Sequence, residues 1–394
     1  MAHNVVALIG QNENRILKVV AQQFLDLLKP FEIRGHVIDL FDPSWKPQLE
    51  LLIKEGILFA FGSAGVGAAL SLNDKNLWDT IQVPFVSSLA DHPAQMPANH
   101  RINARFVVNG YHYREHFDVQ RELIRSAQMS TMLPHGITPN PDCDKTPWSK
   151  RSRRIVFLKS GGDPEAKRAQ WGSWPSKLRE ILEESSRRAL QMPTGDVTPV
   201  VVDCVRSYGI EFGEKQELLL AMLNEIDWYV RLVRLTMMAR ALCHVDADIF
   251  GARWEHIDQA HSRARFHPGV DAASMHGLFA DAQYIVNVTP NFASGTHERV
   301  PNGFAAKACV VSDDNAYTLD KFRELPTYWG FSWTDPDWED KLIDHLESDR
   351  TYKDDDFERA FQLAHREFSG LSFMQAMIQI AEVVRFRERL FRHE

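Results

Sequence analysis

The stretch NVTPNFASGTHERVPNGFAAKACVVSDDN, residues 287–315, carries the densest set of side chains able to do chemistry in this chain. It opens as an apolar strand, passes through a polar loop, and turns small and apolar in a way that suits a short helix and a second strand. A strand ending at Val288 and a helix beginning near Glu298 leave backbone N–H groups unpaired at the helix start. Partial positive charge there favours an anion. His297 and Arg299 reinforce that charge, while Asn291, Glu298 and Asn302 add hydrogen-bonding groups. Glu298 stands four residues before Asn302 and Arg299 three before it, so they share one side of the first turn or so. A ligand with phosphate and hydroxyl groups would meet charge and hydrogen-bond partners together. For any one of these residues a plainer reading stands alongside, with Glu298 complementing the helix dipole and Arg299 solvated. On the ligand reading, Arg299→Ala impairs binding or turnover and leaves the melting temperature nearly unchanged.

Other residues fit the same chemistry. Lys159 precedes Gly161 and Gly162, and Arg253 follows Gly251, both at the ends of apolar runs where cations can neutralise a diphosphate. Asp91 and His92, in ADHP, end another apolar run and read either as a catalytic base or as turn formers. Gly10 and Asn12, in GQNEN, follow the first apolar run, where they either approach a ligand or cap a helix. In FGSAGVGAAL, Gly62, Gly65 and Gly67 do not give G-x-G-x-x-G, and close backbone packing explains them better than a dinucleotide site. The sixteen histidines include no H-x3-H with a supporting carboxylate, so no dedicated metal site is expected.

These residues need a scaffold, and the chain writes one twice. VVALIG is followed by a helical stretch, then GHVIDLF, GILFAFGSAG with a small-residue helix start, VPFVSSLADHP, NARFVVNG and STMLPHGI. Apolar runs separated by helical stretches imply a parallel sheet covered on both faces. Residues 138–152, with three prolines and mixed charge, read as a linker. Beyond it, RRIVFLKSGGDP opens a second set, interrupted by a helical insertion at about 161–225 in which TPVVVDCVRSYG reads as a helix capped by Thr198. A long helix at about 215–243, VDADIFG, DAASMHGLFAD, AQYIVNV, the polar loop, a helix and ACVVSD complete it. The expected class is therefore α/β, with two doubly wound Rossmann-like domains at 1–150 and 151–370. The amphipathic final helix, 371–394, is expected to cross back onto the first domain.

Bulk properties agree. A chain of 394 residues suits two domains, and a composition of 44% hydrophobic and 25% charged residues is that of a globular protein. A formal charge of −8 offers nothing to a polyanion, so no nucleic-acid partner is expected. No apolar run approaches the roughly 18 residues of a membrane span, and MAHNVVALIGQNEN lacks the features of a secretion signal, so a cytoplasmic location is expected. The cysteines, Cys143, Cys204, Cys243 and Cys309, show no metal spacing and read as reduced thiols.

The segment FHPGVDAASMHGLFADAQYIVNVTPNFASGTHERVPNGFAAKACVVSD, with VDADIFGARW before it, resembles the C-terminal domain of two-domain GT-B glycosyltransferases. The similarity is greatest to the bacterial group 1 type that includes spore-maturation-protein-like enzymes. It covers about residues 225–325, and PFVSSLADHP resembles a segment of the same group. The resemblance implies two domains facing a central cleft, a nucleotide-diphosphate sugar on the second domain and acceptor residues on the first. Where it leads one to expect an acidic ribose ligand the chain has Asn302, where it expects Gly it has Lys307, and where many relatives have Glu it has Ser294. Asn302 can still bond a ribose hydroxyl, since an amide both donates and accepts. The implied reaction is glycosyl transfer to an unidentified acceptor, with no cofactor or metal. Lys159, Arg253, His297 and Arg299 would stabilise the departing diphosphate, and Asp91 or His92 would serve as base if the reaction inverts. A sugar-nucleotide epimerase or hydrolase of the same shape, or a non-catalytic binding protein, are the alternatives.

Overall fold

The computed structural model describes residues 4–10, 16–211 and 216–390. Two compact units emerge: Met1–Thr138 with Asp271–Ala273 and Phe368–Glu394, and Pro139–Val270 with Ser274–Glu367.

The first unit holds strands β1 (Asn4–Ile9), β2 (Arg34–Asp39), β3 (Ile57–Ser63), a two-stranded hairpin of β4 (Ser71–Leu72) and β5 (Lys75–Asn76), β6 (Phe85–Leu89), β7 (Val107–Tyr111) and β8 (Ser130–Met132). The second holds β9 (Arg153–Leu158), β10 (Ala247–Phe250), β11 (Arg265–His267), β12 (Ala282–Asn287), β13 (Cys309–Asp313) and β14 (Tyr328–Phe331). The hairpin aside, each unit is one six-stranded sheet, ordered β2-β1-β3-β6-β7-β8 and β11-β10-β9-β12-β13-β14, and every pairing in both is parallel. Parallel pairing explains the apolar runs. Every residue of β1 is buried, because helices cover both faces of its sheet.

On one face of the first sheet, Val6, Leu8, Phe85 and Val107 pack with Leu49, Leu52 and Trp78. On the other, Val5, Ala7, Phe59 and Phe61 meet Phe24 and Leu25 of the helix Ile16–Asp26, and Phe373, Met374, Met377 and Ala381 of the helix Gly370–Leu390. The C-terminal helix thus closes the core of the first unit through residues spaced to share one helical face. Among the described residues no helix is long and apolar enough to cross a membrane.

Several local expectations change. Residues 64–69 form turns and not a helix start, because Ala64, Gly65 and Gly67 adopt φ of 53°, 75° and 89°, which a right-handed helix cannot accommodate. At Gly62 an added Cβ would lie 2.1 Å from the Val66 carbonyl oxygen, so close packing does account for this glycine. Residues 139–152 are not a free linker: Asn140 Nδ2 donates to His276 O (3.0 Å), Trp148 Nε1 to Gln283 O (2.8 Å), and Arg151 to Ala282 O and Ala306 O (2.8 Å each). The helix Thr198–Ser207 forms, but Val197 is its cap residue and Asp196 Oδ1 accepts from the Thr198 N–H at 2.8 Å.

Edge strands β11 and β14 escape the apolar signature because they are only three and four residues long, and β11, RFH, is also partly polar. Ion pairs hold β11. Asp248, buried in β10, accepts from Arg265 Nε (3.0 Å) and His267 Nε2 (2.6 Å) of β11 and from Arg153 Nη1 (2.8 Å) of β9. Burial raises the Asp248 pKa, but these bonds outweigh it and hold the carboxyl at about 2. A carboxylate with a depressed folded pKa stabilises fully above its unfolded value of about 3.8 and loses that contribution as pH falls through about 2. Acid unfolding should therefore separate wild type from Asp248→Asn above pH 4, with the gap closing between pH 4 and pH 2.

Candidate functional site

In both sheets the chain leaves its first strand toward one edge and then returns to the other side, so the order reverses between β1 and β3 and between β9 and β12. Open α/β sheets hold ligands outside the carboxyl ends of the strands at such a reversal. At the second reversal stand Lys159, just beyond β9, and the loop 288–298, just beyond β12.

The β9 and β10 ends are zipped together. Lys159 N–H donates to Phe250 O (2.8 Å), Gly161 N–H to Ala252 O (2.9 Å) and Trp254 Nε1 to Lys159 O (3.1 Å). Trp254 is buried core. Gly251 makes the approach possible: its φ is 145°, and an added Cβ would sit 2.3 Å from Lys159 O. Gly251→Ala should cost more than about 2 kcal/mol, because the turn must open and the backbone must leave its conformation, and denaturant unfolding will measure it. Arg253 follows in a left-handed conformation (φ 66°) with its side chain exposed at the end of β10.

The loop after β12 is pinned from beneath. Thr289 N–H donates to Asp313 Oδ1 (2.7 Å), at the end of β13. Asn315 Nδ2 donates to Phe292 O (3.1 Å) and Gly295 O (2.9 Å). Asn291, expected among ligand contacts, is buried, and its Nδ2 donates to both the backbone O and Oδ1 of Asp227 (3.0 Å each), tying the loop to the helix Gln216–Leu242. Asp313 is wholly buried and also accepts from Thr194 Oγ1 (2.6 Å) and Trp333 Nε1 (2.9 Å). Arg234 lies behind this network and donates to Met192 O at 2.9 Å. Burial pushes its guanidinium down to about 10, against the opposing charge of Asp313. Asn287, Asp313 and Arg234 thus position the loop. Their polar character in apolar runs was the available signal.

The helix after the loop is Arg299–Ala305, with Glu298 as its cap residue. Arg299 is not solvated: it is buried, and its Nη1 donates to Asn287 Oδ1 at 2.9 Å. Asn287 in turn donates to Ser312 Oγ at 3.0 Å, so the arginine is locked to the ends of two strands. His297 is not a cation either. Burial, with the charges of Arg299 and Lys159 adding to it and Glu298 opposing, pushes its pKa down to about 3, so the ring is neutral at neutral pH. His297 Nδ1 lies 2.7 Å from Glu298 Oε2 and 3.4 Å from the backbone nitrogen of Arg299, so the ring is held at the start of the helix. Asn302 Nδ2 donates to Glu298 O at 2.8 Å, so half of its amide is committed to its own helix.

Lys307 takes the conformation that explains the expected glycine. It follows the helix with φ of 51°, the left-handed position that ends many helices. Its ammonium, 2.7 Å from Asp144 and 3.2 Å from Glu358, offsets the strain a side chain meets there.

The structure therefore brings Lys159 together with the segment 297–299, sets Arg253 one strand away, and uses Asn291 as a strut. On the first unit, Gly10 is buried beyond β1, and Asn12 lies outside the described residues. Asp91 is exposed beyond β6, whereas His92 is buried with Nδ1 accepting from the Ala94 N–H at 3.1 Å, capping the turn Pro93–Gln95. Among the described residues no cluster of three or more His, Cys, Asp or Glu is arranged to hold a metal.

No family model and no curated protein matches the chain. Solved structures do. AviGT4, a glycosyltransferase involved in avilamycin A biosynthesis, is 11% identical, with 97% of this chain and 98% of that one covered at a TM-score of 0.51. Sucrose-phosphate synthase from Thermosynechococcus elongatus is 9% identical, with 99% and 100% covered at 0.52. An α-glucosyltransferase, solved with UDP and a 13-mer DNA containing an HMU base, is 8% identical, with 96% and 99% covered at 0.51. Such identities speak to fold alone, and the fold is that of the GT-B glycosyltransferases, α/β with two Rossmann-like units.

Proposed function

We propose that the chain is a glycosyltransferase that moves a sugar from a nucleotide-diphosphate sugar to an acceptor hydroxyl. One observation supports the proposal: β9 and β12 are neighbours at the reversal of the second sheet, Lys159 follows β9, and its charge reaches His297 at the far end of the loop that follows β12. This is where open α/β sheets hold ligands, and the α-glucosyltransferase of the same fold was solved with UDP.

As the bond between the anomeric carbon and the diphosphate breaks, negative charge collects on the leaving group. Lys159 and Arg253 meet that charge, and the backbone N–H groups around Glu298 donate to it. The neutral His297 and the Asn302 amide serve as hydrogen-bonding partners for phosphate or ribose oxygens. Arg299, locked to Asn287, fixes the start of the helix and contributes its positive field. With side chains supplying the positive charge, turnover proceeds without a metal, and a chelator leaves the rate unchanged. The acceptor side belongs to the first unit, where the exposed Asp91 suits a base better than the turn-capping His92.

Calorimetric titration with a panel of nucleotide sugars, coupled to measurement of nucleoside diphosphate release, tests the reading. Binding of at least one donor with slow release supports it. A folded protein that binds none contradicts it.

A further inference from the structure

We propose that the first unit binds ordered water, on the order of two molecules, in a buried polar layer between β6, β7 and the turn that follows the helix Arg114–Val119. The inference is independent of the glycosyl-transfer reading.

Strand register builds the layer. β6 and β7 pair Phe85 with Val107, Ser87 with Asn109 and Leu89 with Tyr111, so alternation puts Ser87, Asn109 and Tyr111 on the face where Phe85 and Val107 pack with Trp78. The apolar core thus gives way to polar side chains toward the carboxyl ends of these strands. His100 stacks on Tyr111, 5.6 Å between centroids, and its Nδ1 lies 2.5 Å from the Tyr111 hydroxyl. Against the turn Pro97–His100 packs a π-helical turn, Gln120–Ile124, closed by the Arg125 N–H donating to Gln120 O at 2.9 Å. The turn at Gly65 covers Ser87: an added Cβ there would lie 3.7 Å from Ser87 Oγ, and Asn99 holds the turn by donating from Nδ2 to Ala64 O at 2.7 Å.

Three side chains of this layer lack the bonds they need. Ser87 and Asn109 are wholly buried and Gln120 is 1% exposed, yet Ser87 Oγ and both ends of the Asn109 and Gln120 amides have no hydrogen-bond partner among the described residues. The Asn109 amide stands beside the Tyr111 hydroxyl, near enough to oppose the rise that burial imposes on its pKa, but not at bonding distance. Other buried amides of the same unit are satisfied. Asn4 Nδ2 donates to Gly56 O (2.9 Å) while its Oδ1 lies 3.1 Å from His36 Nε2, and Gln128 accepts from the Ala104 N–H (3.1 Å) and donates to Ala104 O (3.1 Å) and Val107 O. A bare buried amide is costly, so a partner from outside the chain is the physical account of the two left over.

That partner is neutral and small. Burial, aided by the charges of His92 and Arg101, pushes His100 down to about 4, so its ring is uncharged at neutral pH, as are the side chains of Ser87, Asn109, Tyr111 and Gln120. These groups would not hold an ion. Each amide offers donors and an acceptor together, which suits a molecule that both donates and accepts. A buried water makes about three bonds, so the five atoms call for about two waters.

The test is a crystal structure of the full chain at a resolution that shows ordered water, paired with thermal melts of Ser87→Ala and Gln120→Met. Water density within hydrogen-bonding distance of the Asn109 and Gln120 amides is expected. Both variants should then melt about 2 to 5 °C below wild type, because each deletes a bond to a bound water. If the atoms are bare instead, deleting them relieves the burial penalty, and variants that melt at or above wild type overturn the proposal. Density for anything other than water, or side chains that swing to bond one another with no water between, overturns it as well. Where a variant fails to fold, the density decides.

Discussion

Arg299→Ala is expected to destabilise the second unit by about 3 kcal/mol and to abolish measurable donor turnover. The guanidinium is buried and bonded to Asn287 at 2.9 Å, so its removal leaves the Asn287 oxygen without its charged donor and opens a cavity at the helix start. Losing a hydrogen bond to a charged group costs about 1.5 to 3 kcal/mol, and the cavity adds to it. For a unit of this size that is a fall in melting temperature of roughly 6 to 12 °C. The sequence alone suggests an arginine that meets a ligand, or is solvated, and whose removal leaves the melting temperature nearly unchanged; burial reverses the expectation for stability. Arg299→Lys should recover only part of the loss, because an ammonium does not reproduce the planar fork. Denaturant melts of both variants, beside nucleoside diphosphate release, will measure the two effects separately.

Lys159→Ala should behave differently. The side chain is half-buried at the carboxyl end of β9, and the backbone of Lys159 holds the turn through bonds that alanine retains. A charge-assisted bond to a diphosphate contributes about 1.5 to 3 kcal/mol, so the donor Kd should rise by roughly 10-fold to 100-fold. Stability should change by less than about 1 kcal/mol. Calorimetry on this variant separates a ligand-binding cation from a structural one, and an unchanged Kd would remove Lys159 from the donor site.

The contrast between these two cations shows what the sequence can and cannot tell. Both stand at the end of an apolar strand, and that much is legible because parallel strands buried on two faces leave nearly uninterrupted apolar runs. Which one faces a ligand depends on the Asn287–Arg299 bond, and no local pattern announces it. Edge strands β11 and β14 were illegible for the opposite reason. They are short, and β11 is held by Asp248 from the neighbouring strand, a partner seventeen to nineteen residues away in sequence. The polar loop 289–298 was legible as a unit but not in its parts. Asn291 and Asn315 hold it from below, so its polarity serves placement as much as recognition. Lys307 is the reverse case: a departure from an expected glycine looks disruptive until the left-handed backbone and two carboxylate partners are seen. His92 looked like a base because it ends a strand, yet its ring caps the following turn.

The most direct measurement is a crystal structure of the chain soaked with a nucleotide-diphosphate sugar that it binds. Pyrophosphate oxygens are expected within hydrogen-bonding distance of Lys159 Nζ and of backbone N–H groups at the start of the helix Arg299–Ala305. A pyrophosphate bound away from the carboxyl ends of β9 and β12 would contradict it.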